Sequence, residues 1–130
     1  MSIILKDFNE MKNYNSTAFL EIQYCKLKIS KSIKKYVSVR NMKYGLIDSL
    51  YIYHSDIEKF FDEYGEIFKN GIYNNLKTGS IDPYGINYFQ KNQINDFINY
   101  MLESKPTDYK IMIKWLKEAL QYNGFYILSL

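Results

Sequence analysis

One histidine, one cysteine and one arginine occur in this 130-residue chain. Each scarcity narrows the chemistry. Metal centres need several convergent ligands, and His54 and Cys25 are the only imidazole and thiol present. A single cysteine forms no intrachain disulfide, and nothing in the sequence points to an oxidising compartment. Base edges and phosphates are read best by the planar guanidinium, yet Arg40 stands alone among 17 basic residues. There is no G-x-G-x-x-G and no G-x-x-x-x-G-K phosphate loop, and no Ser-His-Asp order assembles. No apolar run approaches the roughly 18 residues of a membrane span. The opening Ile3-Ile4-Leu5 runs directly into Lys6-Asp7, which does not read as a signal peptide. These absences lead to the expectation of a cytoplasmic protein without catalytic, cofactor-binding or metal-binding residues, and without membrane contact.

What is abundant is tyrosine, with 14 residues, beside 17 isoleucines, 16 lysines and 12 asparagines. These are the residues that AT-rich codons over-supply, so part of the excess is compositional. Tyrosine also joins a rigid apolar body to a hydrogen-bonding tip, and it is enriched where proteins meet partners. Length predicts a single domain over residues 1–130, long enough to bury a core without disulfides. Hydrophobic residues at 47% against 24% charged place the chain in the globular class rather than the disordered one. The net charge of +3 is unevenly spread. Between Ile22 and Ile47 there is no acid, whereas Asp56 to Glu66 holds five acids and one lysine.

The C-terminal half carries helical periodicity. Ile57, Phe60, Phe61, Tyr64, Ile67 and Phe68 predict a helix over 56–69, with Ser55 and Glu58 as a capping box and Gly71 as the stop. Ile94, Phe97, Ile98, Met101 and Leu102 predict a second helix over 90–103, broken by Lys105-Pro106. A third, over 108–122, is capped by Thr107 or Asp108 and is apolar around most of its circumference, Ile111 and Trp115 included. Asn123-Gly124 ends it in left-handed fashion, and Phe125 to Leu130 reads as a strand. Leu50 to Tyr53 reads as another. Phe19 to Ile29 alternates, with Glu21 and Gln23 opposite Leu20, Ile22 and Tyr24, which favours a strand over a helix. Ser32 to Val39 suits a short helix or a strand. The stretch from Asn70 to Phe89 is either a functional loop or a missed element. Its Asp82-Pro83-Tyr84-Gly85 has type I turn chemistry. The expected fold is α+β, three amphipathic helices on a small antiparallel or mixed sheet, with an all-α fold as the alternative.

Two surfaces are candidates for function. Glu58, Asp62 and Glu66 stand at i, i+4 and i+8, a spacing that suits a basic protein surface, a divalent cation or a merely solvated face. With Tyr73 and Tyr84 from the following loop they form the expected partner-binding set, the acids steering and the tyrosines anchoring. The other candidate is a nucleic-acid face of Lys26, Lys28, Lys31, Lys34, Lys35, Arg40 and Lys43, interleaved with Tyr24, Tyr36 and Tyr44. His54 beside Asp56 is the third feature to place, and Cys25 reads as a small buried hydrophobe.

The segments Gly79-Ser80-Ile81-Asp82-Pro83-Tyr84-Gly85-Ile86-Asn87-Tyr88-Phe89, Trp115-Leu116 and Tyr122-Asn123-Gly124-Phe125-Tyr126-Ile127-Leu128 together resemble small uncharacterised bacterial proteins. Some of these are similar to immunity proteins, which neutralise a toxin by binding it. The resemblance spans roughly the last 60 residues and rests on turn and core positions. It implies a non-catalytic protein-binding domain whose partner is a protein with a basic surface. Nucleic-acid binding through residues 26–43 is the alternative.

Overall fold

The computed structural model describes residues 2–3, 5–13, 18–28 and 32–129, with the backbone alone for Leu5, Lys6 and Asn41. Among these residues the fold is α+β, built on one sheet of seven strands in the order β1-β3-β2-β7-β6-β4-β5, each pair antiparallel. The strands are β1 (Leu5–Lys6), β2 (Phe19–Tyr24), β3 (Leu50–Tyr53), β4 (Gly71–Ile72), β5 (Thr78–Gly79), β6 (Ile86–Phe89) and β7 (Phe125–Ser129). The helices are α1 (Phe8–Met11), α2 (Ile33–Tyr36), α3 (Ile57–Tyr64), α4 (Ile94–Ser104) and α5 (Tyr109–Ala119).

The central pair is β2 with β7, in register from Leu20 opposite Ser129 to Tyr24 opposite Phe125. Period-two alternation sends Leu20, Ile22, Tyr24, Phe125 and Ile127 to one face. There they join Phe60, Phe68, Phe97, Met112 and Trp115 of the helical layer in the larger core. The opposite face carries Cys25, Ile86, Tyr88, Tyr126 and Leu128, packed under Tyr36 and Val37. Every residue of β2 is buried, Glu21 and Gln23 included. The alternation therefore separates two covered faces, not a core from solvent.

The three predicted helices form, with corrections at their ends. A 3-10 turn over His54–Asp56 precedes α3, and no side-chain cap bond is made at Asp56. That turn occupies the place the Ser55/Glu58 box requires. The chain leaves α3 at Gly65, and Gly71 lies in β4, where a Cβ would sit 3.0 Å from the Phe89 ring. Before α4, Gln93 Oε1 accepts from the Gln90 amide. Lys105, at φ 47°, ends α4 ahead of Pro106 as expected. Asp108 stands at the N-cap of α5 without capping it: its φ is 61°, and its carboxylate accepts from Ser2 Oγ at 2.7 Å. The Thr107 amide and hydroxyl are both engaged by Glu63, which ties α3 to the start of α5. Leu102 and Ile111 are exposed, which narrows both apolar stripes. Trp115 is buried, stacked on Tyr24 at 4.1 Å.

The 70–89 stretch is a missed element and not a loop. It folds as the β4–β5 hairpin, turning through Asn74-Asn75 with Leu76 at φ 70°, and then enters β6, an interior strand. At the Asp82 turn the Tyr84 amide donates to Asp82 Oδ1 and the Gly85 amide to the Asp82 carbonyl. Buried Asn87 holds that turn from below, donating to the carbonyls of Asp82 and Ile127 and accepting from the Asp82 amide.

Candidate interaction surface

The face opposite the large helices is covered by chain that is mostly irregular. Among the described residues between β2 and β3, regular structure is limited to the four-residue α2 and a 3-10 turn over Val39–Asn41. Irregular chain leaves backbone groups unpaired, and buried ones need partners. Here tyrosine hydroxyls supply several. From the sheet, Tyr126 Oη donates to the Tyr36 carbonyl and Tyr51 Oη to that of Leu46, and within the cover Tyr36 Oη donates to the Lys28 carbonyl. Tyr88 Oη donates outside it, to the Asn123 carbonyl.

Glu21 holds the end of this cover. The carboxylate is fully buried on β2 and accepts from the Gly45 amide at 2.8 Å, the Leu46 amide at 3.1 Å, Ser49 Oγ at 2.6 Å and Gln23 Nε2 at 3.0 Å. Tyr51 Oη adds a longer contact at 3.4 Å. Gln23 also donates to the Lys43 carbonyl. A buried carboxylate is tolerated only when its lone pairs are filled in this way. The result fixes the 43–49 segment, and with it Tyr44 and Ile47, on the sheet.

Burial pushes the phenols of Tyr24, Tyr51, Tyr64, Tyr88 and Tyr126 well above the ordinary tyrosine value, with the nearby Glu21 charge adding to the effect at Tyr51. Burial likewise raises the Cys25 thiol, whose sulfur lies 3.4 Å from Tyr126 Oη. A raised thiol pKa reduces the nucleophilic thiolate, and Cys25 sits as the small buried hydrophobe its sequence context predicts. His54 is exposed on the 3-10 turn before α3. Among the described residues no group of three His, Cys, Asp or Glu side chains is placed to hold a metal ion.

Where the cover meets the Asp82 turn there is a groove of about 330 Å³, lined by Val39, Tyr44, Tyr73, Asp82, Tyr84 and Ile86, among others. Three of its large apolar side chains face solvent: Tyr84 is 90% exposed, Val39 62% and Tyr44 50%. Tyr73 is only half-buried, and its hydroxyl is spent on the Ser80 carbonyl, where it staples the hairpin. The structure thus brings Tyr73 and Tyr84 to one groove. Glu58, Asp62 and Glu66 are exposed but do not line it. Glu66 lies beyond the end of α3 and pairs with Lys69 at 3.0 Å. In the sequence Tyr44 stands out as an aromatic of the basic run and Val39 as the end of the 32–39 segment, and no periodicity there joins them to Tyr73 and Tyr84.

The basic set is dispersed over the cover. Lys28, Lys34, Lys35, Arg40 and Lys43 are exposed, and Lys31 lies outside the described residues. Lys26 is paired with Asp48 at 2.5 Å and sits over the Tyr122 ring. No helix among the described residues is long and apolar enough to cross a membrane. Compared with family models, curated proteins and solved structures, the chain matches none.

Proposed function

We propose that this chain is a non-catalytic protein-binding domain that takes its partner on the groove between the 39–44 cover and the Asp82 turn. One observation carries the reading: Val39, Tyr44 and Tyr84 converge, exposed, on a single groove. Exposed apolar side chains scattered singly need no explanation, whereas a cluster marks an interaction site. Both walls are pre-set, one by Glu21 and the other by Asn87. A rigid aromatic anchor loses little entropy on binding. In this reading Tyr84 and Tyr44 supply the anchoring energy, and the acids Glu58, Asp62 and Glu66 act only on the encounter rate with a basic partner. The finer form is an immunity-type role, in which the partner is a toxin held inactive in a stoichiometric complex. It rests on the sequence resemblance.

The test uses the chain and a Val39→Ser/Tyr44→Ser/Tyr84→Ser variant as paired baits. Exposed positions away from structural hydrogen bonds change stability by about 0.5 kcal/mol or less each, so the variant should melt as a folded protein. A stoichiometric protein retained by the wild-type chain and lost by the variant supports the reading. Retention of the same proteins by both baits overturns it. For the immunity form, expressing the retained partner alone should arrest growth, and co-expressing this chain should relieve the arrest. A partner that is harmless when expressed alone removes the immunity role and leaves the binding role standing.

A further inference from the structure

The aromatic groove lies at the Ser129 end of β7. At the other end, beside Asn123, is a second and larger cleft of about 570 Å³, within the range typical of small-molecule sites. Three chain segments form its walls: residues 26–28 leaving β2, residues 121–123 leaving α5, and Lys91 leaving β6.

Gly124 lets these segments meet. Its φ is 84°, and a Cβ there would lie 2.1 Å from the Phe89 carbonyl oxygen and 3.2 Å from the Lys91 amide. No other residue allows that approach without displacing backbone. Asn123 then locks the arrangement. Its amide donates to the Cys25 carbonyl, its Nδ2 donates to the Leu27 carbonyl at 2.6 Å, and its own carbonyl accepts from Tyr88 Oη at 2.6 Å. The Lys28 carbonyl is held by Tyr36 Oη. The backbone beneath the lysines is therefore fixed from several sides.

The charge in this cleft is of one sign. Lys26, Lys28 and Lys91 line it, and no carboxylate does. Lys26 is committed to Asp48. Lys28 and Lys91 have no ion-pair partner among the described residues. Two uncompensated ammonium groups on different walls of a concavity raise the local concentration of anions. Each offers three donors and no acceptor, which suits a ligand made only of acceptors.

We propose that this cleft binds a small phosphate-bearing ligand, with Lys28 and Lys91 contacting its anionic oxygens from two different chain segments. The residues differ from those of the aromatic groove, so this site stands or falls independently of the protein-binding reading.

The probe is inorganic pyrophosphate, titrated into the full chain and read by amide chemical shifts. Saturable shifts confined to residues 26–28, 91 and 121–124 are expected, with a Kd of about 1 mM or tighter at low salt. A Lys28→Gln/Lys91→Gln variant should weaken binding about tenfold. A Lys114→Gln/Lys117→Gln variant, on the exposed side of α5, should bind as the wild type does, and so should the groove variant described above. Shifts that do not saturate, or that spread over lysines throughout the surface, overturn the proposal. So does an equal loss in the α5 control. Tight binding of a single-stranded oligonucleotide across residues 26–43 without pyrophosphate binding also overturns it, in favour of a polynucleotide surface.

Discussion

The two sides of the sheet differ in their prevailing aromatic residue. On the side of α3, α4 and α5 phenylalanine prevails: Phe89 and Phe125 of the sheet interlock with Phe60, Phe68 and Phe97 of the helical layer, ring centroids 5.0 to 6.3 Å apart, with Tyr24 and Tyr64 beside them. Under the 25–49 cover tyrosine prevails: the Tyr88 ring touches both Tyr126 on the sheet and Tyr36 of the cover, and Tyr51 lies beside Glu21. The difference follows from what lies on top. A helix pairs most of its own backbone groups, so the surface beneath it needs mainly apolar area, although Tyr24 Oη still donates to the Trp115 carbonyl. Irregular chain does not, so the surface beneath it must offer donors as well. A phenol supplies both. Part of the tyrosine excess that the composition announces is therefore structural: hydroxyls that terminate carbonyls of a segment with little secondary structure.

Breaking the phenylalanine side should have the largest effect. Trp115 packs against Phe125 and Tyr24, and its Nε1 donates to the Asp48 carbonyl at 2.9 Å, so it also ties the helical layer to the segment leading into β3. Trp115→Ala should cost about 3–5 kcal/mol, measured by denaturant unfolding. An unchanged midpoint would mean that α5 does not close this core.

On the tyrosine side the largest single loss should be at Glu21. Glutamine keeps the size but replaces one acceptor oxygen with a donor that would face the Gly45 and Leu46 amides or Ser49. Glu21→Gln should cost about 1–3 kcal/mol. Faster amide exchange at residues 45–49, with the helices unchanged, would localise the damage. Full retention of stability would show that the carboxylate does not hold the segment.

Alkali should act on both faces. The buried phenols, Tyr24 and Tyr64 on the helical side and Tyr51, Tyr88 and Tyr126 on the other, have folded pKa values raised above the unfolded value of about 10. Their contribution is complete below that pH and is lost as pH rises toward the folded values, at about 1.4 kcal/mol per pH unit for each such phenol. Cooperative unfolding above pH about 10, with phenolate absorbance rising in the same transition, is the expected result. Buried tyrosines that ionise at the ordinary pH in a chain that keeps its circular dichroism would contradict the pattern.

Smaller effects sharpen the contrast. Tyr88→Phe and Tyr126→Phe each leave a carbonyl short of a donor and should cost about 1 kcal/mol apiece, whereas Tyr84→Phe, on an exposed ring, should leave melting unchanged. A Tyr84→Phe variant that melts well below the wild type would show that this ring is structural and not a partner anchor.

Much of the helical side was legible in the sequence. Phe60 with Tyr64, Phe97 with Met101 and Met112 with Leu116 stand at helical spacing, and Phe125 to Leu128 is unbroken apolar and aromatic chain after a glycine stop. The tyrosine side was not. Glu21 in an alternating strand reads as a solvent-facing residue, and its buried environment depends on donors more than twenty residues away. Two-residue strands such as β4 and β5 are too short to show a period, so the hairpin passed for a loop. Of the groove, Tyr73 and Tyr84 stood out as aromatics in that stretch. Tyr44 stood out only as an aromatic of the basic run, and nothing local joined it or Val39 to that pair, because their convergence is set by the sheet beneath them.

The central claim is that tyrosine hydroxyls hold the irregular cover, and with it one wall of the groove, on the sheet. Amide hydrogen exchange on a Tyr51→Phe/Tyr126→Phe variant tests it most directly. The account predicts faster exchange within residues 33–49, while β2, β7 and the α4–α5 layer keep wild-type protection. Protection lost evenly across both layers, or not lost at all, would contradict it.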